Sequence, residues 1–111
     1  MDPSAATRWT VFTNHGHVLI YVGHNPDVRV RDVAAAVGIT ERAVQSILHD
    51  LDEAGYIERE HTGRRVHYRI LRNAPLRHPL EARTSVGTIL DAVSIAPESG
   101  PSDSQPPHLA F

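Results

Sequence analysis

With 111 residues and no cysteine, the chain has room for one small hydrophobic core and excludes disulfides, thiolate metal sites and a cysteine nucleophile. The formal net charge of −2 excludes a uniformly basic coat for nucleic acid. Yet seven of the eleven basic residues, all arginine, fall between Arg59 and Arg83, where only Glu58, Glu60 and Glu81 oppose them.

The longest apolar-rich run, VLIYVG at residues 18–23, is too short to cross a bilayer. The start, MDPSAATRW, lacks the basic and apolar parts of a secretion signal, so the expected location is the cytoplasm. Residues 1–8 carry little apolar content and are expected to be a flexible arm. Trp9 and Phe12 supply apolar anchors ahead of Asn14, the expected N-cap of a helix over HGHVLIYVGH with Val18, Leu19 and Val22 inward. Asn25-Pro26-Asp27 ends it, and Val28-Arg29-Val30 alternates as a very short strand would.

RDVAAAV reads as a second helix closed by Gly38 in a left-handed cap. Thr40 is the expected N-cap of a third helix over about residues 41–54, with Glu41 near its positive end. Ile39 and Val44 hold the two positions of a hydrophobic staple. Val44, Ile47, Leu48 and Leu51 keep the i, i+3, i+4, i+7 spacing of a core face, which turns Arg42, Gln45, Ser46 and His49 to the opposite side. Asp50, Asp52 and Glu53 load the C-terminal half with negative charge, so a polyanion would meet the N-terminal end.

Beyond Gly55, residues 56–60 and 65–70 alternate as two strands joined by a turn containing Thr62 and Gly63. Val66, Tyr68 and Ile70 fall on one face, and Arg65, His67 and Arg69 on the other. This gives an α+β domain over residues 9–72. Pro75 and Pro79 bracket an irregular stretch, after which Val86, Ile89, Leu90 and Val93 return to helical spacing over roughly residues 80–95. With the core taken as complete by Ile70, the segment 76–95 is assigned to dimerisation through those four side chains. Residues 96–111, rich in proline and serine, are expected to be a disordered tail.

The order helix, short strand, helix, glycine turn, helix, hairpin is that of a winged helix-turn-helix. VRVRDVAAAVGITERAVQSILHDLDEAGYIEREHTGRRVHYRI resembles the winged-helix transcriptional regulators of the MarR and ArsR type, and PLRHPLE is similar to a segment after the wing in a subgroup of small bacterial regulators. The resemblance covers about residues 9–95. It implies a three-helix core with a hairpin wing and an additional C-terminal helix, and a homodimer that binds double-stranded DNA in a sequence-directed way. The third helix would enter the major groove and the wing, residues 58–70, would lie at the minor groove.

The side chains suit that chemistry independently. Arg42 and Gln45 offer paired hydrogen bonds to guanine and adenine edges, Thr40 and Ser46 suit a base or a phosphate, and His49 lies further along towards a phosphate. Arg64 and Arg65 at the hairpin tip suit phosphates or a narrow minor groove, with His67 on the outward face of the second strand. The alternative reading is a winged helix used as a protein-interaction module, and a third is RNA binding.

His15, His17 and His24, with Asp27 nearby, lack the three- or four-residue spacing of paired metal ligands on one helix, so no metal or other cofactor is expected. No phosphate loop, nucleophile elbow or telling carboxylate pair is present, and an enzyme is not expected.

Overall fold

The computed structural model describes residues 9–93. The expected arm and tail, and the last two residues of the expected C-terminal helix, lie outside the described residues.

Helix α1 spans Asn14–His24 and buries Val18, Leu19, Ile20 and Val22. Its N-cap is Thr13 rather than Asn14: Thr13 is extended and its hydroxyl accepts the Gly16 N–H, while Asn14 is already helical. Helix α2, Val30–Val37, ends as expected at Gly38, whose φ of 89° places its N–H on the Ala34 carbonyl. Helix α3, Glu41–Glu53, begins at Thr40, whose hydroxyl accepts the Ala43 N–H at 3.0 Å. All four of its expected inward residues, Val44, Ile47, Leu48 and Leu51, are buried, and α1, α2 and α3 pack on one another.

The strand expected at Val28–Val30 is absent, because Val30 opens α2 and the one backbone bond to the hairpin comes from the turn before it, Tyr68 N–H donating to the Pro26 carbonyl at 2.8 Å. Pro26 has no N–H to return the bond, and the Val28 N–H is held by the Asn25 carbonyl at 3.1 Å. The ladder therefore stops after one rung.

Strands β1, Ile57–Thr62, and β2, Arg65–Ile70, pair antiparallel from Ile57 with Ile70 to Thr62 with Arg65. The two-residue connection is Gly63-Arg64. Gly63 alone takes positive φ, at 64°, as the first position of a II′-type hairpin turn requires. Tyr68 is buried and Val66 and Ile70 are half-buried, so the inward set of β2 is as expected.

The C-terminal segment departs most from expectation. Instead of one helix over residues 80–95, a 3-10 turn at Pro79–Glu81 precedes α4, Val86–Ala92, which Ser85 caps. The backbone before it is engaged elsewhere, since Pro75 bridges to Ser85 and Val86 N–H donates to the Ala74 carbonyl at 2.9 Å. Nor is the core complete at Ile70. Val86 and Leu90, assigned to a dimer face, are buried in the same core as α1 and α3, with Ile89 and Val93 half-buried against it.

Gly23 allows that approach, because a Cβ there would stand 2.7 Å from Leu90 Cδ1. His24 Nε2 lies 3.1 Å from the Leu90 carbonyl and 3.0 Å from the Val93 carbonyl, so this nitrogen carries a hydrogen and closes the open end of α4. Arg72 adds a contact with both oxygens of Asp91 at 2.8 Å. Leu90→Ala should therefore destabilise the fold by about 2–4 kcal/mol in urea unfolding. An unchanged unfolding midpoint would mean that α4 is not part of the folding unit.

Candidate nucleic-acid interface

The apolar face of α3 is held by α1 and α2, and this leaves Glu41, Arg42, Gln45, Ser46, His49 and Asp50 exposed on the other side. Thr40 sits at the N-terminal end of that surface. Its oxygen accepts the capping bond, which leaves its hydroxyl hydrogen and one lone pair for a partner. Two carboxylates in the acidic half of the helix are engaged: Asp50 meets His15 Nε2 at 2.8 Å, and Asp52 meets the Arg59 cation through Nε at 3.0 Å. The second of these pairs also ties the wing to α3.

At the wing, Gly63, Arg64 and Arg65 are exposed. The other wing arginines are internally engaged: Arg59 holds Asp52, while Arg69 holds Glu58 and also Glu60, the latter at 3.3 Å. By contrast, Arg42, Arg64 and Arg65 make no ion pair among the described residues. The positive charge not already balanced by a carboxylate in this region is therefore at the start of α3 and at the hairpin tip.

His67 has a partner within the protein. Its Nδ1 lies 2.8 Å from Asp27 Oδ1 in the turn after α1, so the ring is directed at the protein's own framework. Sequence reasoning also missed Asp27 and Arg29 as neighbours of the wing. With Arg64, Arg65, Val66 and Tyr68 they line a cleft of about 590 Å³. The one signal available was the alternation of Val28-Arg29-Val30, which says nothing about residues 35 positions later. The other histidines do not converge: His17 Nδ1 lies 3.3 Å from Asn14 Oδ1, and His24 faces the α4 carbonyls.

Burial pushes the Tyr68 hydroxyl above its ordinary value, with the Arg59 cation opposing the shift. Tyrosine in the unfolded chain ionises near about pH 10 while folded Tyr68 stays neutral. The stability it contributes is full below that value and is lost as pH rises towards the raised one.

A three-helix unit with a hairpin wing and an outward polar face on its third helix is a winged helix-turn-helix. Residues 13–65 match the MarR family. Among solved structures, similar ones include Streptococcus pneumoniae FabT, solved in complex with DNA. It is 26% identical, with 61% of this chain and 50% of that chain covered and a TM-score of 0.48. Another is MepR, a transcription regulator of the Staphylococcus aureus multidrug efflux pump MepA, at 19% identity, 80% and 59% coverage and a TM-score of 0.49. The chain thus spans 50% and 59% of these two proteins. No curated protein matches it. No helix among the described residues is long and apolar enough to cross a membrane.

Two outcomes follow from this geometry. Thr40→Ala should cost about 1 kcal/mol of stability through loss of the α3 cap, read from the urea midpoint; no shift would show that the cap contributes nothing. Raising pH beyond about 10 should lower the thermal midpoint of the parent more than that of Tyr68→Phe, and parallel declines would show that Tyr68 ionisation is not responsible.

Proposed function

We propose that the protein is a sequence-specific DNA-binding transcriptional regulator that acts as a homodimer. The observation that carries this reading is the placement of arginine cations without a carboxylate partner, Arg42 at the start of α3 and Arg64 and Arg65 at the wing tip. In this reading α3 enters the major groove by its N-terminal end. Arg42 and Gln45 read base edges, Ser46 and the Thr40 hydroxyl hydrogen serve a base or phosphate, and His49 reaches the backbone. Arg64 and Arg65 follow the minor groove or its flanking phosphates. The slight overall acidity does not oppose this, because the duplex meets one surface only.

The dimer requires a face other than the buried side of α4. Val11 is 85% exposed and Leu80 91% exposed, and together with Phe12, Leu76 and Ile89 they line an apolar groove of about 380 Å³. Burying such residues between two copies removes them from water. A two-fold dimer formed this way would bind a near-palindromic site.

Selection of bound duplexes from genomic DNA at physiological salt tests the reading. A near-palindromic motif is the expected outcome; recovery of no duplex would favour a protein-interaction module instead. On the selected site, Arg42→Ala should cost about 1–3 kcal/mol and relax choice at one base pair. Arg64→Ala with Arg65→Ala should weaken binding to every duplex and flatten the salt slope by about 0.9 for each phosphate left without its arginine. Leu80→Asp should yield monomers in sedimentation equilibrium, and a persistent dimer would place the interface elsewhere.

A further inference from the structure

The wing is held to the turn after α1 by the Tyr68-to-Pro26 backbone bond and by the contact between His67 Nδ1 and Asp27 Oδ1, each 2.8 Å long. The first is indifferent to protons, whereas the second is not. Asp27 and Asp32 line the cleft that Arg29, Arg64 and Arg65 also line, which places these carboxylates at the same opening as the cations assigned to DNA.

The charged groups around His67 come from two strands and the turn. Glu60 lies opposite it in the ladder, with Glu58 and Thr62 two positions to either side on β1 and Arg65 and Arg69 two positions to either side on β2. Arg69 holds both Glu58 and Glu60. Arg29 is paired with Asp32 at 3.4 Å. The carboxylate that depends on His67 for its counter-charge is therefore Asp27.

We propose that His67 is a positioning residue that couples the wing to pH: as imidazolium it neutralises Asp27 and leaves Arg64 and Arg65 to the phosphate backbone. As neutral imidazole it can still donate a hydrogen bond through Nδ1, but the Asp27 charge is then uncompensated and competes for those arginines. The inference rests on the DNA-binding reading above. A nearby polyanion favours the imidazolium, so binding takes up a proton and affinity rises as pH falls. For one linked proton the dependence is limited to about tenfold per pH unit.

The test uses the full chain and a labelled mixed-sequence duplex at constant ionic strength between about pH 5.5 and 8.5, a range that brackets imidazole chemistry. The parent should lose affinity with rising pH by about threefold to tenfold more than His67→Gln, which keeps an N–H donor but cannot charge, and Asp27→Asn should lose the same excess. Equal slopes in the parent and His67→Gln would overturn the proposal. In the free protein, the Gly63 and Arg64 amide resonances should follow the titration of the His67 ring in the parent and stop doing so in Asp27→Asn. Amides that ignore the ring overturn the positioning role even if DNA binds. If they follow the ring while no duplex binds, the positioning stands and the DNA reading fails.

Discussion

Everything that faces outward in this protein depends on the burial of one helical stripe. Val44, Ile47, Leu48 and Leu51 of α3 pack with Val18, Leu19 and Val22 of α1 and Val33 of α2, all within one core. A helix with one apolar stripe has only one orientation on such a core, so fixing the stripe also fixes the azimuth of Arg42, Gln45, Ser46 and His49. The Gly38 cap and the Thr40 hydroxyl then fix where the helix starts. An error of one residue at either place would rotate the polar set by about 100° away from its present direction.

The wing depends on the same packing at one remove. Ile57 at the start of β1 and Tyr68 on β2 are both buried in that core, so the hairpin projects from the body with its inward face anchored and its tip free. Arg59 on Asp52 and His67 on Asp27 brace the two strands, the first against α3 and the second against the turn after α1. A two-stranded ribbon without such braces is marginal in water.

The three helices, the Gly38 and Thr40 caps and the hairpin were legible because each is specified locally: spacing of apolar residues, a threonine or glycine at the end, a period of two in β2. The cap of α1 was placed one residue late, because Asn14 and Thr13 are both good caps and nothing in the spacing chooses between them. What was not legible came from competition for backbone groups or from contacts across the fold. Val28–Val30 alternates like a strand, but Pro26 offers no N–H and the Val28 N–H turns back to Asn25. The stripe Val86, Ile89, Leu90, Val93 was correctly read as apolar, yet periodicity cannot say whether such a face meets a second subunit or its own. Gly23, 67 positions before Leu90, admits the helix to its own core, and nothing local in the sequence announces that fit. His67 follows the same logic, since its partner lies 40 residues earlier.

The placement of Trp9, the chain's only tryptophan, has a spectroscopic consequence. It is 79% exposed and shares an open groove with Phe12, Tyr21 and Ile39, outside the packed core. At that exposure the indole is already largely in water, so denaturation changes its surroundings little. Covering that groove would move the indole into an apolar setting and shift its emission to the blue. The native chain thus carries an optical reporter that is nearly blind to folding and sensitive to what settles over its N-terminal edge.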